Sequence, residues 1–257
     1  MKFASLDAES AIAFPDEMVY DEEHFHQLGI TCAAVALVDT DVEKNWHETE
    51  NIRFWHSDTI DRLSKEDCQS IVYDMWELAK EGYIFVTWNG TGFDFRLLAV
   101  QSGLYGLCAR MAYKHHIDMM LFVVFLKGHF LGLQKALEGI GSPGKLHDVT
   151  LSDGTIIDDM KGALAPELWS KGEFEAVLLY LNFDVTEPLK LLQYIYAKKR
   201  IQWLSKKGNP QTCSVPNILT VEELYTTVMP DSNLERNEIT LDQFFGWMPF
   251  YQRVKHK

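Results

Sequence analysis

Phe3-Ala4-Ser5-Leu6-Asp7-Ala8-Glu9 is the stretch on which the fold turns. It is mostly apolar and reads as a strand, and successive side chains of a strand alternate between faces. Asp7 and Glu9, two apart, therefore project from the same side where the strand ends. Such a pair either holds a cation or forms an ordinary solvated strand end, and the stretch alone does not separate the two.

A second acidic position closes Thr87-Trp88-Asn89-Gly90-Thr91-Gly92-Phe93-Asp94, which follows the apolar run Tyr83 to Val86 and precedes helical spacing at Leu97, Leu98 and Leu104. Asp94 thus stands where a strand feeds through a glycine loop into the first turn of a helix. Free amides and the helix dipole favour an acid there, so capping is one reading of Asp94. Capping does not require two glycines; Gly90 and Gly92 permit positive φ and close backbone approach, as suits a loop passing a ligand. The third piece is Tyr180-Leu181-Asn182-Phe183-Asp184, in a Leu- and Val-rich helical stretch beginning near Gly172. Tyr180 and Asp184, four apart, share a helix face with Val177 and Leu181. A carboxylate on that apolar stripe needs a counter-charge, hydrogen bonds or a metal.

Together the three segments resemble the DEDD superfamily of 3'-5' exonucleases, over roughly residues 1 to 200. The family's first motif, Asp-x-Glu, is matched by Asp7 and Glu9; its second, an Asn-containing loop ending in Phe-Asp, by Asn89 to Asp94; its third by Tyr180 and Asp184. One subclass has Tyr four residues before the last Asp, the other His five before it. Here those positions hold Tyr180 and Leu179, similar to the Tyr subclass, and Trp-Asn-Gly-x-x-Phe-Asp is similar to exonuclease domains related to family-B DNA polymerases.

The resemblance implies an α/β, ribonuclease H-like fold: a mixed five-stranded sheet with helices on both faces, here with a C-terminal extension over 201–257. It implies metal-dependent 3'-5' exonuclease activity that releases nucleoside monophosphates from single-stranded or frayed 3' ends, DNA ahead of RNA. Mg²⁺ or Mn²⁺, two ions, would be held by Asp7, Glu9, Asp94 and Asp184, since hard cations take oxygen ligands. Asp7 would bridge the ions, Glu9 and Asp184 would serve the ion at the attacking water, and Asp94 would support the second. Tyr180 would orient the water through a hydroxyl that stays protonated at neutral pH. Asn89 and Phe93 are the substrate-binding candidates. A polymerase or another replication or repair protein is a candidate partner. A scaffold that keeps the fold without catalysis, and a phosphodiesterase acting on short oligonucleotides, are the alternatives.

Composition tempers this reading. The 257 residues carry 24 Lys and Arg against 37 Asp and Glu, a net charge of -13, where a nucleic-acid binder is expected to show a basic stripe. Bound cations and a grip on only a few nucleotides reduce the conflict, and predict modest, salt-sensitive affinity. Arg96, Arg110, Lys114 and Lys198-Lys199-Arg200 are candidate grips, or else solvated charges; Trp88 and Phe93 are candidate stacking platforms. Asp16-Glu17 and Asp21-Glu22-Glu23 read as a solvated loop face. Cys32, Cys68, Cys108 and Cys213 form no Cys-x-x-Cys pair and read as reduced thiols. No apolar run reaches the roughly 18 residues of a membrane span and no secretory signal is evident, so a cytoplasmic protein with no membrane contact is expected.

The patterning predicts strands near 2–7, 28–38, 51–56, 83–88 and 116–119, and a helix over about 65–82 with Ile71, Val72, Met75, Trp76 and Ala79 on one stripe. Asp118 is expected to serve structurally at a strand end, with a substrate or metal role as the alternative. His24, His26, His115 and His116 lack zinc-site companions and read as surface or strand residues. Pro188, which cannot donate to the Asp184 carbonyl, predicts a kinked or restarted helix. Beyond residue 200, Gly208-Asn209-Pro210 reads as a turn, and the stretches from Thr220 and Thr240 as capped short helices. This tail is expected to pack on the core or to offer a docking surface, with the basic stretch Arg253 to Lys257 disordered.

Overall fold

The computed structural model describes residues 1–13, 22–143, 148–158 and 160–251. Its centre is a five-stranded sheet of β1 (Lys2–Ser10), β2 (Ile30–Asp39), β3 (Ile52–His56), β4 (Tyr83–Thr87) and β5 (His116–Asp118), in the order β3-β2-β1-β4-β5. β1 pairs antiparallel with β2, and β2 with β3, while β1–β4 and β4–β5 are parallel. A three-stranded meander extended by two parallel strands is the ribonuclease H-like arrangement expected from the sequence. β1 and β2 are near-continuously buried, as strands covered on both faces must be.

Helices cover the two faces. On one lie α1 (Glu22–Leu28), α2 (Lys65–Lys80), α3 (Asp94–Ser102) and α4 (Tyr105–Lys114). α2 starts with a capping box between Ser64 and Asp67 and buries Ile71, Val72 and Met75, the stripe read from its periodicity. The other face is crossed by α8 (Phe174–Lys198), which packs on β1, β2 and β4. Trp46 of a short 3₁₀ turn lies between Phe3 and Tyr196, at ring-centroid distances of 5.3 and 5.8 Å. In the chain between α4 and α8 come α5 (Met119–Lys127), almost wholly buried, then α6 (Leu133–Gly139), a small hairpin of β6 (Val149–Thr150) and β7 (Ile156–Ile157), and α7 (Ala165–Ser170).

Of the two alternatives expected at Pro188, the restart does not occur: α8 is helical from Phe174 to Lys198, and Val185, Leu189, Leu191 and Leu192 bury an apolar face on both sides of the proline. Nor does Thr240 cap the helix that follows it. The turn is closed instead by the Gln243 side chain, which accepts from the Thr240 amide at 3.0 Å. Thr220 does form its box with Glu223.

The stretch after α8 forms β8 (Arg200–Leu204) and β9 (Pro210–Ser214), a hairpin absent from the sequence reading apart from its turn, then α9 (Val221–Thr227), α10 (Asn233–Arg236) and α11 (Asp242–Phe245). It packs on the core: the Asp231 amide donates to the Phe125 carbonyl at 2.7 Å, and Asn237 Nδ2 to the Gly128 carbonyl at 2.6 Å. Arg253 to Lys257, and Asp16, Glu17 and Asp21, lie outside the described residues. No helix among the described residues is long and apolar enough to cross a membrane.

Gly139 sits directly against the backbone of β8, where an added Cβ would overlap the Gln202 carbonyl. Backbone against backbone leaves no flexible atom to yield. Gly139→Ala is therefore expected to cost about 1 to 3 kcal/mol, measured as a lower urea midpoint with an unchanged denaturant slope.

Candidate active site

β1 supplies the first two carboxylates and α8 the third. Asp7, Glu9 and Asp184 each offer an oxygen, and these oxygens all lie within 4.8 Å of one another. Strand alternation aims Asp7 and Glu9 at the α8 face, and the four-residue helical spacing sets Tyr180 one turn before Asp184 on the same face. Val177 and Leu181, beside them, are fully buried. The three carboxylates and Tyr180 line a cleft of about 340 Å³, shared with Ala8, Ser10, Ala13, Phe93, Gly162 and Ala163. Gly162 backs the site closely: a Cβ there would stand 3.8 Å from both Glu9 Oε2 and Tyr180 Oη.

Asp94 lies outside that trio but is tied to it. β4 ends at Thr87, so the far end of β1 outruns its parallel neighbour, and the Ala8 amide donates to Asp94 Oδ1 at 3.2 Å. Burial pushes the Asp94 carboxyl up to about 7; the Ala8 amide opposes the shift, while Asp118 and Asp184 add to it. The donor set is all oxygen, carboxylate-rich and largely buried, which fits a hard divalent cation and no soft metal. A cation beside Asp94 would favour its ionised form and reverse the upward shift.

The loop before Asp94 is held by its own backbone. The Asn89 and Thr91 amides donate to the two oxygens of Asp118, at 2.9 and 3.0 Å, and Asp118 also caps α5 through the Met120 amide at 3.1 Å. Positive φ, expected at the glycines, falls instead on Asn89 at 75°, a conformation that Asn tolerates better than most residues. Gly90 and Gly92 serve close approach: a Cβ on Gly90 would collide with the Thr87 side chain, and one on Gly92 would lie 2.9 Å from Asn89 Oδ1. Asn89, a substrate-binding candidate by sequence, is thus built into the turn and does not line the cleft. Phe93 does line it, with its ring 5.9 Å from that of Phe25.

The remaining candidates lie elsewhere. Trp88 donates its indole N–H to the Leu131 carbonyl at 2.9 Å. Arg96 is buried with its guanidinium 4.4 Å from the Phe25 ring, and Arg110 lies 5.0 Å from the Trp76 ring. Lys114 pairs with Glu222 at 3.7 Å, and Lys199 ends α8 in the left-handed conformation. None of these lines the cleft. Sequence reasoning missed Ser10, Ala13, Gly162 and Ala163, small residues with no motif of their own. It also missed the support from His116, whose Nε2 meets Thr87 Oγ1 at 2.7 Å while Gly90 N–H donates to that same hydroxyl oxygen at 2.8 Å.

No family model matches the chain, and no curated protein matches it. Among solved structures, Escherichia coli Exonuclease I in complex with a 5cy-dT13 oligonucleotide aligns at a TM-score of 0.33 and 7% identity, over 77% of this chain. This chain spans 43% of the length of that one. A likeness of this degree assigns no function, and the site must be read from its own side chains.

His116 supplies a test of the loop's foundation. Burial lowers its imidazole to about 4, below the 6.5 of an exposed histidine. The unfolded chain therefore binds the proton more readily, and the stability gained from neutral His116 is complete above pH 6.5 and lost as pH falls towards 4. The term is on the order of 3 kcal/mol. His116→Asn should flatten the acid limb of thermal stability between pH 6.5 and 4; a limb of unchanged slope would show that other groups carry it.

Proposed function

We propose that the chain is a metal-dependent 3'-5' exonuclease of the DEDD type, Tyr subclass. It would release nucleoside monophosphates from single-stranded or frayed 3' ends, DNA ahead of RNA. Residues 1–200 form the catalytic unit in this reading, and 201–257 an extension braced on it. The observation that carries it is the meeting of Asp7, Glu9 and Asp184 oxygens within 4.8 Å, in a cleft that also holds Tyr180.

Asp7, Glu9 and Asp184 would hold one divalent cation, and Asp7 with Asp94 a second. When bound, Mg²⁺ or Mn²⁺ supplies positive charge against the scissile phosphate and a water of lowered pKa. The residues do the rest. Tyr180, locked on α8, presents a hydroxyl on the Glu9 side of the cleft and orients the attacking water. Phe93 at the cleft wall offers a face to the terminal base, a sequence-tolerant contact. Gly162 leaves room for a phosphate to approach between Glu9 and Tyr180.

A second reading, a phosphodiesterase acting on short oligonucleotides, is favoured by one observation: the cleft lining includes no Lys or Arg among the described residues. The two readings separate in one assay. A 5'-labelled single-stranded 20-mer and a labelled dinucleotide, as DNA and as RNA, are incubated with Mg²⁺, Mn²⁺ or chelator. The exonuclease reading expects a ladder shortening from the 3' end, abolished by chelator and reduced about 10³-fold by Asp7→Asn, on the order of 4 kcal/mol of transition-state stabilisation. Turnover of the dinucleotide alone would favour the second reading. No metal-dependent release from any of them, or full activity in Asp7→Asn, would sink both. Tyr180→Phe should lower kcat roughly 10- to 100-fold with little change in KM, the signature of lost alignment rather than lost binding.

A further inference from the structure

We propose that Trp247 is a positioning residue for the loop that carries Phe93 and Asp94, so that the segment after α11 sets the geometry of one wall of the cleft. Trp247 donates its indole N–H to the Thr91 carbonyl at 2.9 Å, across 156 residues of sequence. The same residue's amide donates to Asp118 Oδ2 at 3.0 Å, so Thr91 is gripped through both its N–H and its carbonyl. Immediately beyond it, the Phe244 ring covers Gly92, where an added Cβ would lie 3.3 Å from Phe244 Cδ1. Among the described residues, the Asn89 to Phe93 amides are satisfied within the turn and by Thr87 and Asp118, and Trp247 adds a hydrogen bond to the loop backbone from the extension.

The donor is itself rigidly mounted. Phe244, Phe245 and Tyr251 are buried on either side of it. Phe245 stacks on Tyr251 at 5.6 Å and meets Tyr225 at 5.0 Å, while Phe250 lies 5.2 Å from Tyr113 of α4. The aromatic cluster is therefore a fixed post standing on the α4 face. Its contact reaches the loop three residues before Asp94, whose bond to the Ala8 amide needs the loop in place. Movement at Thr91 is passed to Asp94 through the Phe95 amide, which donates to the Gly90 carbonyl at 3.0 Å.

The test compares the full chain with Trp247→Phe, which keeps an aromatic ring and removes the N–H. Trp203→Phe, in β8, controls for general loss of stability. Hydrogen exchange is followed at the Gly92, Phe93 and Phe95 amides. Trp247→Phe should speed exchange there about five- to tenfold and leave the amides of β1 and β2 unchanged, while Trp203→Phe leaves the loop at wild-type rates. Unchanged loop exchange in Trp247→Phe, or the same acceleration in both variants, overturns the proposal. The activity readout rests on the exonuclease reading: kcat in Trp247→Phe should fall by a similar factor with KM held within about twofold, and an undiminished kcat alongside faster loop exchange would overturn the link to Asp94. A wild-type protein that hydrolyses no nucleic acid would defeat the exonuclease reading instead, and the exchange rates would still decide the role of Trp247.

Discussion

Repulsion among Asp7, Glu9 and Asp184 is the constraint on which the rest of the structure depends. Two unit charges within 4.8 Å of each other would repel by about 3 kcal/mol or more at an effective permittivity near 20. A typical hydrogen bond returns only about 1 kcal/mol net. The scaffold sets where the three meet. Asp7 and Glu9 are fixed by the ladder to β2, and Asp184 by a 25-residue helix whose apolar side is sealed against the sheet. Asp94 adds a fourth carboxylate, whose burial disfavours its charged form.

The geometry follows from unequal strand lengths. β1 continues past the last residue of β4, leaving an amide that a neighbouring strand would otherwise take. That amide meets Asp94, while the chain between β4 and α3 folds into a turn tied to Asp118, Thr87 and His116. The C-terminal segment leans on the same turn from outside. Cleft wall, buried histidine and aromatic segment thus meet at one loop.

Much of this was legible in the sequence because it rests on short-range rules. Alternation in Phe3 to Glu9 placed two acids on one face, and the spacing of Tyr180 and Asp184 placed two groups on one turn. The five strands and the stripe of α2 also followed from periodicity. What stayed hidden depends on distant partners. Asn89 was a substrate-binding candidate through the resemblance alone, and its left-handed backbone in the turn has no signal in the sequence. Pro188 removes a local hydrogen bond, yet the helix continues without restarting because the apolar residues on both sides of it are buried. Gly162 and Trp247 carry no local signal; their meaning comes from the atoms they meet.

The bond between Trp247 and Thr91 also has a temporal side. Contacts that enclose long stretches of chain carry a larger closure entropy and form late. β1, β2 and β4 can assemble once the first 90 or so residues are available, but the indole that steadies the turn is more than 150 residues further on. On a ribosome, Asp184 would follow β4 by about 100 residues and precede Trp247 by about 60, so the three carboxylates would be available before the indole that steadies the loop.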